Sequence, residues 1–232
     1  NKTMTDLESS HNLIQRYQGV KAEVEALAKQ HDQAVALLAV SKKHPCESIA
    51  AIYQQGQRCF GENYVQEGVD KVNALKELDI QWHFIGPIQS NKTRLVSEHF
   101  SWVHTIDRDK IAQRLNDQRP AHLPALNVLI QVNISDQDSK SGISLNDVPA
   151  LAEMINQQPN LTLRGLMCIP APQDEAQLKN EFTAMHQAYE KLKQQYAQVD
   201  TLSMGMSGDL ELAIACGSNM VRVGTAIFGQ RI

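Results

Sequence analysis

Eight short apolar runs, separated by stretches of helical periodicity, constrain the fold of this 232-residue chain more than any other feature. The runs lie at Ala36–Ser41, Cys59–Phe60, Trp82–Ile85, Trp102–Ile106, Leu126–Ile134, Leu163–Ile169, Thr201–Met204 and Met220–Val223. The first reads as a buried strand, covered on both faces. Apolar positions at helical spacing predict intervening helices, clearest over Glu47–Gln55, Tyr64–Leu78, Lys92–His99, Lys110–Asp117, Asp147–Gln157, Glu175–Tyr196 and Asp209–Cys216. Strict alternation of strand and helix implies a parallel sheet with right-handed crossovers. A count of eight favours a closed α/β barrel, the (β/α)8 TIM type, over an open doubly wound sheet. No G-x-G-x-x-G follows the first strand, which removes the main sign of a dinucleotide-binding domain.

Ahead of the first strand, Leu7, Leu13, Ile14, Tyr17, Val20, Val24 and Leu27 predict one amphipathic helix over residues 4–30. Residues 1–30 are therefore read as an extra N-terminal helix packing on the barrel. Residues 1–3, before Met4, are expected to be an appended remnant. No linker rich in Pro, Gly or Ser divides the chain, so residues 1–232 are read as a single domain.

With 42% hydrophobic and 21% charged residues the chain carries enough apolar surface to fold alone. A net charge of −4 and the absence of any Lys/Arg run argue against a nucleic-acid or anionic-membrane partner. The longest apolar stretches, such as 34–40 and 128–132, fall far short of the roughly 20 residues that span a bilayer. The N-terminus has no secretory pattern, and Cys46, Cys59, Cys168 and Cys216 form no C-x-x-C pair. Neither zinc nor disulfides are expected, and a reducing cytoplasm fits best.

In a barrel the functional site lies at the C-terminal ends of the strands. Those ends carry Lys42, Gly61-Glu62-Asn63, His83 and Gly86, Asp107, Asn133, Met167, Met204 to Ser207, and Arg222 with Gly224-Thr225. Loops after strands seven and eight often bind phosphate through free backbone N–H groups and helix starts. Ser207-Gly208 ahead of a helix predicted from Asp209 suits this role, and so does Gly224-Thr225; Ser207 equally suits a simple helix cap. A lysine at a strand end is ordinarily a solvated rim residue. Lys42, however, shares a strand face with Leu38 and Val40, which points it inward while Lys43 points away. An amine held near a second cation such as Arg222 keeps more of the neutral form that attacks an aldehyde. Arg222 reads either as half of a barrel-interior ion pair or as a permanent cation facing a pyridine nitrogen.

The segments LLAVSK (37–42), FGENYVQE (60–67), HFIGPIQSNK (83–92), GLM (165–167), MGMSGD (204–209) and VRVGTAIFG (221–229) closely resemble the pyridoxal 5′-phosphate (PLP) homeostasis family of the YggS/PROSC type. The resemblance spans residues 36–229 and implies a fold-type III PLP barrel, similar to the N-terminal domain of bacterial alanine racemase. By it, Lys42 holds PLP as an internal Schiff base and Arg222 approaches the pyridine nitrogen. Ser207, Gly224 and Thr225 hold the phosphate, and Asn63, His83 and Met204 line the ring. The sequence departs from many relatives at His44, where they carry a second lysine.

Racemisation needs an acid/base group on each face of the cofactor–substrate adduct. Alanine racemase takes its second group, a tyrosine, from another domain across a dimer, and this chain is expected to lack that domain. Only Tyr64 falls near the strand ends, so it is the candidate base if the chain is a small PLP-dependent racemase. The expectation is a monomeric carrier or regulator of PLP in vitamin B6 and amino-acid homeostasis, with PLP-dependent apoenzymes as recipients. A barrel binding a sugar or nucleotide phosphate without PLP is the remaining alternative, disfavoured by the lack of a carboxylate dyad or metal cluster at the strand ends.

Overall fold

The computed structural model describes residues 3–138 and 141–230, apart from the side chains of Thr5 and Asp6; of the expected N-terminal remnant, residues 1 and 2 lie outside the described residues. Among these residues eight parallel strands close on themselves in sequence order. They are β1 (Ala36–Val40), β2 (Cys59–Glu62), β3 (Gln81–Phe84), β4 (Trp102–Ile106), β5 (Leu126–Val132), β6 (Leu161–Cys168), β7 (Thr201–Ser203) and β8 (Met220–Val223). β1 pairs with β2 through Val40 and Gly61, and with β8 through Leu38 and Arg222, which seals the barrel beside the predicted lysine loop.

The helices are α1 (Met4–Gln30), α2 (Cys46–Gln54), α3 (Val65–Ala74), α4 (Thr93–His99), α5 (Asp109–Gln118), α6 (Val148–Asn156), α7 (Glu175–Gln195), α8 (Leu210–Ala215) and α9 (Thr225–Phe228). Their apolar stripes cover the outer faces of the strands. In α5, Ile111, Ala112 and Leu115 are buried at the spacing of one helix face. In α6, Pro149 sits in the first turn, where its missing N–H costs nothing. Asp174 caps α7 by accepting from the Gln177 N–H at 2.8 Å.

Predicted and observed elements differ mainly at their ends. The helix expected over Tyr64–Leu78 stops at Ala74, because the chain turns at Leu75–Leu78 with the Leu78 N–H bonded to the Leu75 carbonyl. The strand expected to reach Ile134 ends at Val132, where Asn133 turns the chain by bonding Gln137 through both ends of its amide. β1 ends at Val40, one residue short of the expected Ser41, so Lys42 lies two residues beyond it. The single turn α9 was not expected; four residues are too few to show helical periodicity.

α1 buries Leu13, Tyr17, Val20, Val24 and Leu27, alternately three and four residues apart. That stripe packs α1 on α2 and α9, and the Tyr17 hydroxyl donates to Gln57 at 2.9 Å. The barrel interior is a separate core. It holds Leu38, Val40, Ile85 and Met220 in one cluster and Trp102, Leu129 and Met167 in another. All four cysteines are free thiols, and no described helix is long and apolar enough to cross a membrane.

Candidate functional site

A cavity of about 330 Å³ opens at the C-terminal ends of the strands, within the size range of small-molecule sites. Six of the residues expected to bind the cofactor meet there: Lys42 after β1, Asn63 after β2, Ser207 after β7, Arg222 on β8, and Gly224 and Thr225 after it. Val40, Ile85, Met167 and Ile169 supply apolar wall, with Met206 and Gly208 at the loop side. Of these, Val40, Ile85 and Ile169 were absent from the predicted site. Ile85 was legible in principle, because it lies two residues beyond His83 on the same face.

Arg222 is held from below. Its Nη1 donates to the Ser203 hydroxyl at 2.6 Å and its Nη2 to the Cys168 carbonyl at 2.9 Å. Burial pulls its pKa down, but a guanidinium does not give up its proton in a protein, so the cavity contains a fixed cation. Neither partner is a carboxylate, which removes the ion-pair reading of Arg222.

Ser207 lies exposed on the turn leading to α8. The N-cap position of that helix is Asp209, whose carboxylate accepts from the Met206 N–H at 2.7 Å, ahead of the helix, so Ser207 does not occupy the cap position. Gly224 precedes the first residue of α9, and its would-be Cβ lies 3.3 Å from the Val40 carbonyl oxygen. Thr225 presents its side chain to solvent beside it. Two short turns bearing hydroxyls and backbone N–H groups thus face one cavity whose interior end is cationic.

These residues fit the cofactor suggested by the sequence. Hydroxyls and glycine-flanked amides suit a phosphate, Arg222 suits a ring nitrogen, and Lys42 provides an amine for an aldehyde. Asn63 Oδ1 is buried without a hydrogen-bond partner in the cavity wall, which a bound donor would relieve.

His83 and Met204, expected to line the ring, are not brought to the cavity. Met204 is fully buried in the layer between strands and helices. His83 lies lower in the barrel interior, stacked on Trp102 with centroids 5.0 Å apart. Its Nδ1 is 2.8 Å from His104 Nε2, and His104 Nδ1 is 3.1 Å from the Ser203 hydroxyl that also meets Arg222. Burial brings His83 down to about 3 and His104 well below its usual value, so both rings are neutral. His104 was missed by the sequence reading, although it shares the inward face of β4 with Trp102.

Tyr64 is 47% exposed ahead of α3, with Lys43 Nζ 5.5 Å from its ring centroid, and does not line the cavity. Asp107 and Asn133, at the ends of β4 and β5, are engaged elsewhere: Asp107 accepts from the Gly142 N–H in the loop after β5 at 3.0 Å, and Asn133 bonds Gln137 within its own loop. His44 is buried and stacked on Phe228, centroids 4.9 Å apart.

Comparison with known proteins gives consistent results. The family described as alanine racemase, N-terminal domain, matches residues 16–232. A pyridoxal phosphate homeostasis protein of Pasteurella multocida is 58% identical over 95% of this chain and 96% of its own length. One from Escherichia coli K12 is 55% identical over 96% of both. Among solved structures, PipY of Synechococcus elongatus PCC7942 with PLP bound is 37% identical, with a TM-score of 0.77 over 89% of this chain and 99% of that one.

Proposed function

Since the chain belongs to the pyridoxal phosphate homeostasis family, built on the barrel of the alanine racemase N-terminal domain, we propose that it binds PLP in the cavity above Arg222 and serves PLP and amino-acid homeostasis as a carrier or regulator. The observation that carries this reading is the convergence of Lys42, Asn63, Ser207, Arg222, Gly224 and Thr225 on one cavity. Lys42 would hold the aldehyde carbon, and Ser207, Gly224 and Thr225 the phosphate.

When bound, the pyridine ring supplies an electron sink, and a weaker one if its nitrogen is unprotonated. Arg222 sets that state. It has no proton to give, and its position is fixed by Ser203 and Cys168. Among the lining residues Lys42 is the one group able to move a proton, since Arg222 stays charged and Tyr64 lies outside. Proton transfer on two opposite faces needs a second such group. The lining therefore favours holding the cofactor over turning it over. PLP-dependent apoenzymes are the proposed recipients, and a cytoplasmic monomer the proposed acting form.

Incubation with PLP followed by borohydride reduction and peptide mapping tests the assignment. The expected outcome is a phosphopyridoxyl label on Lys42, lost in Lys42→Ala together with the visible absorbance of the bound cofactor. Label confined to other lysines of the wild-type protein would falsify the site.

A further inference from the structure

Lys42 is followed at once by a second lysine, and the structure contains a device that distinguishes them. Lys71, on α3, is buried beneath the loop, and its three N–H donors are all engaged. Nζ donates to the Ser41 carbonyl at 2.8 Å, to Glu62 at 3.0 Å and to Glu67 at 2.5 Å. Glu67 also accepts from the Lys43 backbone N–H at 2.6 Å, and the Ser41 hydroxyl donates to Glu62. The cluster thus grips the chain immediately before and immediately after Lys42.

The residue after Lys42 is in an unfavourable conformation. Lys43 has φ of 63°, in the left-handed region that a residue with a side chain rarely adopts. Such a conformation persists where its surroundings over-determine it. Here the Glu67 carboxylate holds the Lys43 N–H, and the Lys43 ammonium is drawn over the Tyr64 ring outside the cavity. Because β1 has already ended at Val40, strand alternation no longer sets the direction of Lys42. The turn sets it.

We infer that Glu67, Lys71 and Glu62 are positioning residues for the cofactor lysine: by clamping Ser41 and Lys43 they send Lys42, and not its neighbour, into the cavity. The inference rests on the assignment of Lys42 as the PLP-holding residue. None of the three clamp residues lines the cavity, so they act through the backbone of the loop. A purely stabilising role would require bonds from this cluster to α3 and β2 alone, whereas two of them end on main-chain atoms flanking Lys42.

The test compares the full-length wild-type protein with Glu67→Ala and Glu67→Gln, each loaded with PLP, reduced with borohydride and mapped. Glu67 is part-exposed, and alanine there removes the acceptor for the Lys43 N–H; glutamine keeps an acceptor oxygen without the charge. In Glu67→Ala the Lys42-to-Lys43 labelling ratio and the PLP affinity should each fall by about tenfold or more, the scale of one lost charge-assisted hydrogen bond. Glu67→Gln should restore most of both. A second measurement needs no variant: the Lys43 amide of the wild-type protein should exchange with solvent deuterium well below the rate of an exposed loop amide.

A Glu67→Ala protein labelled on Lys42 alone, with wild-type affinity, overturns the clamp and leaves the cofactor assignment standing. An unprotected Lys43 amide does the same. Wild-type label away from Lys42 overturns the cofactor assignment itself, and the clamp with it.

Discussion

Gly86, just past β3, occupies a place that no other residue can take. A Cβ built there would lie 2.0 Å from the Asn63 carbonyl oxygen, so the backbone that carries a cavity wall residue would have to move. Gly86→Ala is expected to lower stability by roughly 1–3 kcal/mol, the usual cost of overpacking, and to weaken PLP binding. Urea unfolding and a PLP titration check the two effects. Residues such as Gly86, Lys42 and Arg222 were legible because polar or side-chain-free positions at strand ends stand out against apolar runs. The depth of His83 in the barrel was not legible, for a related reason. Alternation by two tells which face a side chain takes, but not how high along the barrel axis it sits. Cross-strand register decides that, pairing His83 with Trp102 in a lower layer and leaving Ile85 to meet the cavity.

At the scale of elements, the cavity depends on a helix far away in sequence. Arg16 of α1 donates through Nε to the Ile227 carbonyl at 2.9 Å and through Nη2 to the Phe228 carbonyl at 3.1 Å. These are carbonyls of the last turn of α9, where a cation also meets the favourable end of the helix dipole. α9 starts at Thr225, so α1 holds one of the two turns proposed to bind the phosphate. Arg16→Ala should weaken PLP binding roughly tenfold, at the scale of about 1–2 kcal/mol for lost bonds to a charged donor, with a smaller loss of thermal stability; calorimetric titration and a melting curve measure both. The long helix was fully readable from its apolar spacing. Its purpose was not, because the hydrogen bonds of Arg16 run to residues more than 200 positions away, and nothing in a local pattern reports such a partner.

For the molecule as a whole, two buried systems give stability opposite dependences on pH. Burial raises the Glu62 carboxyl from 4.5 to about 7 against the pull of Lys71 and Ser41. The folded protein therefore keeps a proton that the unfolded chain releases, so this contribution is full below about 4.5 and is lost as pH rises to about 7. His83 behaves inversely. Burial lowers it from 6.5 to about 3, so its contribution is full above 6.5 and is lost as pH falls toward 3. Glu62→Gln removes the first slope, and the urea midpoint of that variant should climb more steeply between about pH 5 and about pH 7 than that of the parent. Identical profiles would show that Glu62 does not titrate in this range. The barrel itself was evident from strand–helix alternation. The interior polar column of Arg222, Ser203, His104 and His83 was not, since its members come from four strands and meet only after closure.

That column, with Trp102, Leu129 and Met167, also fills the barrel below the cavity. A molecule above Arg222 therefore meets a packed interior beneath it, while Ile169 and Met206, two large apolar side chains of the cavity lining, are left open to solvent. Because that interior is filled, a ligand enters and leaves by the strand-end side, and one already in place blocks the next.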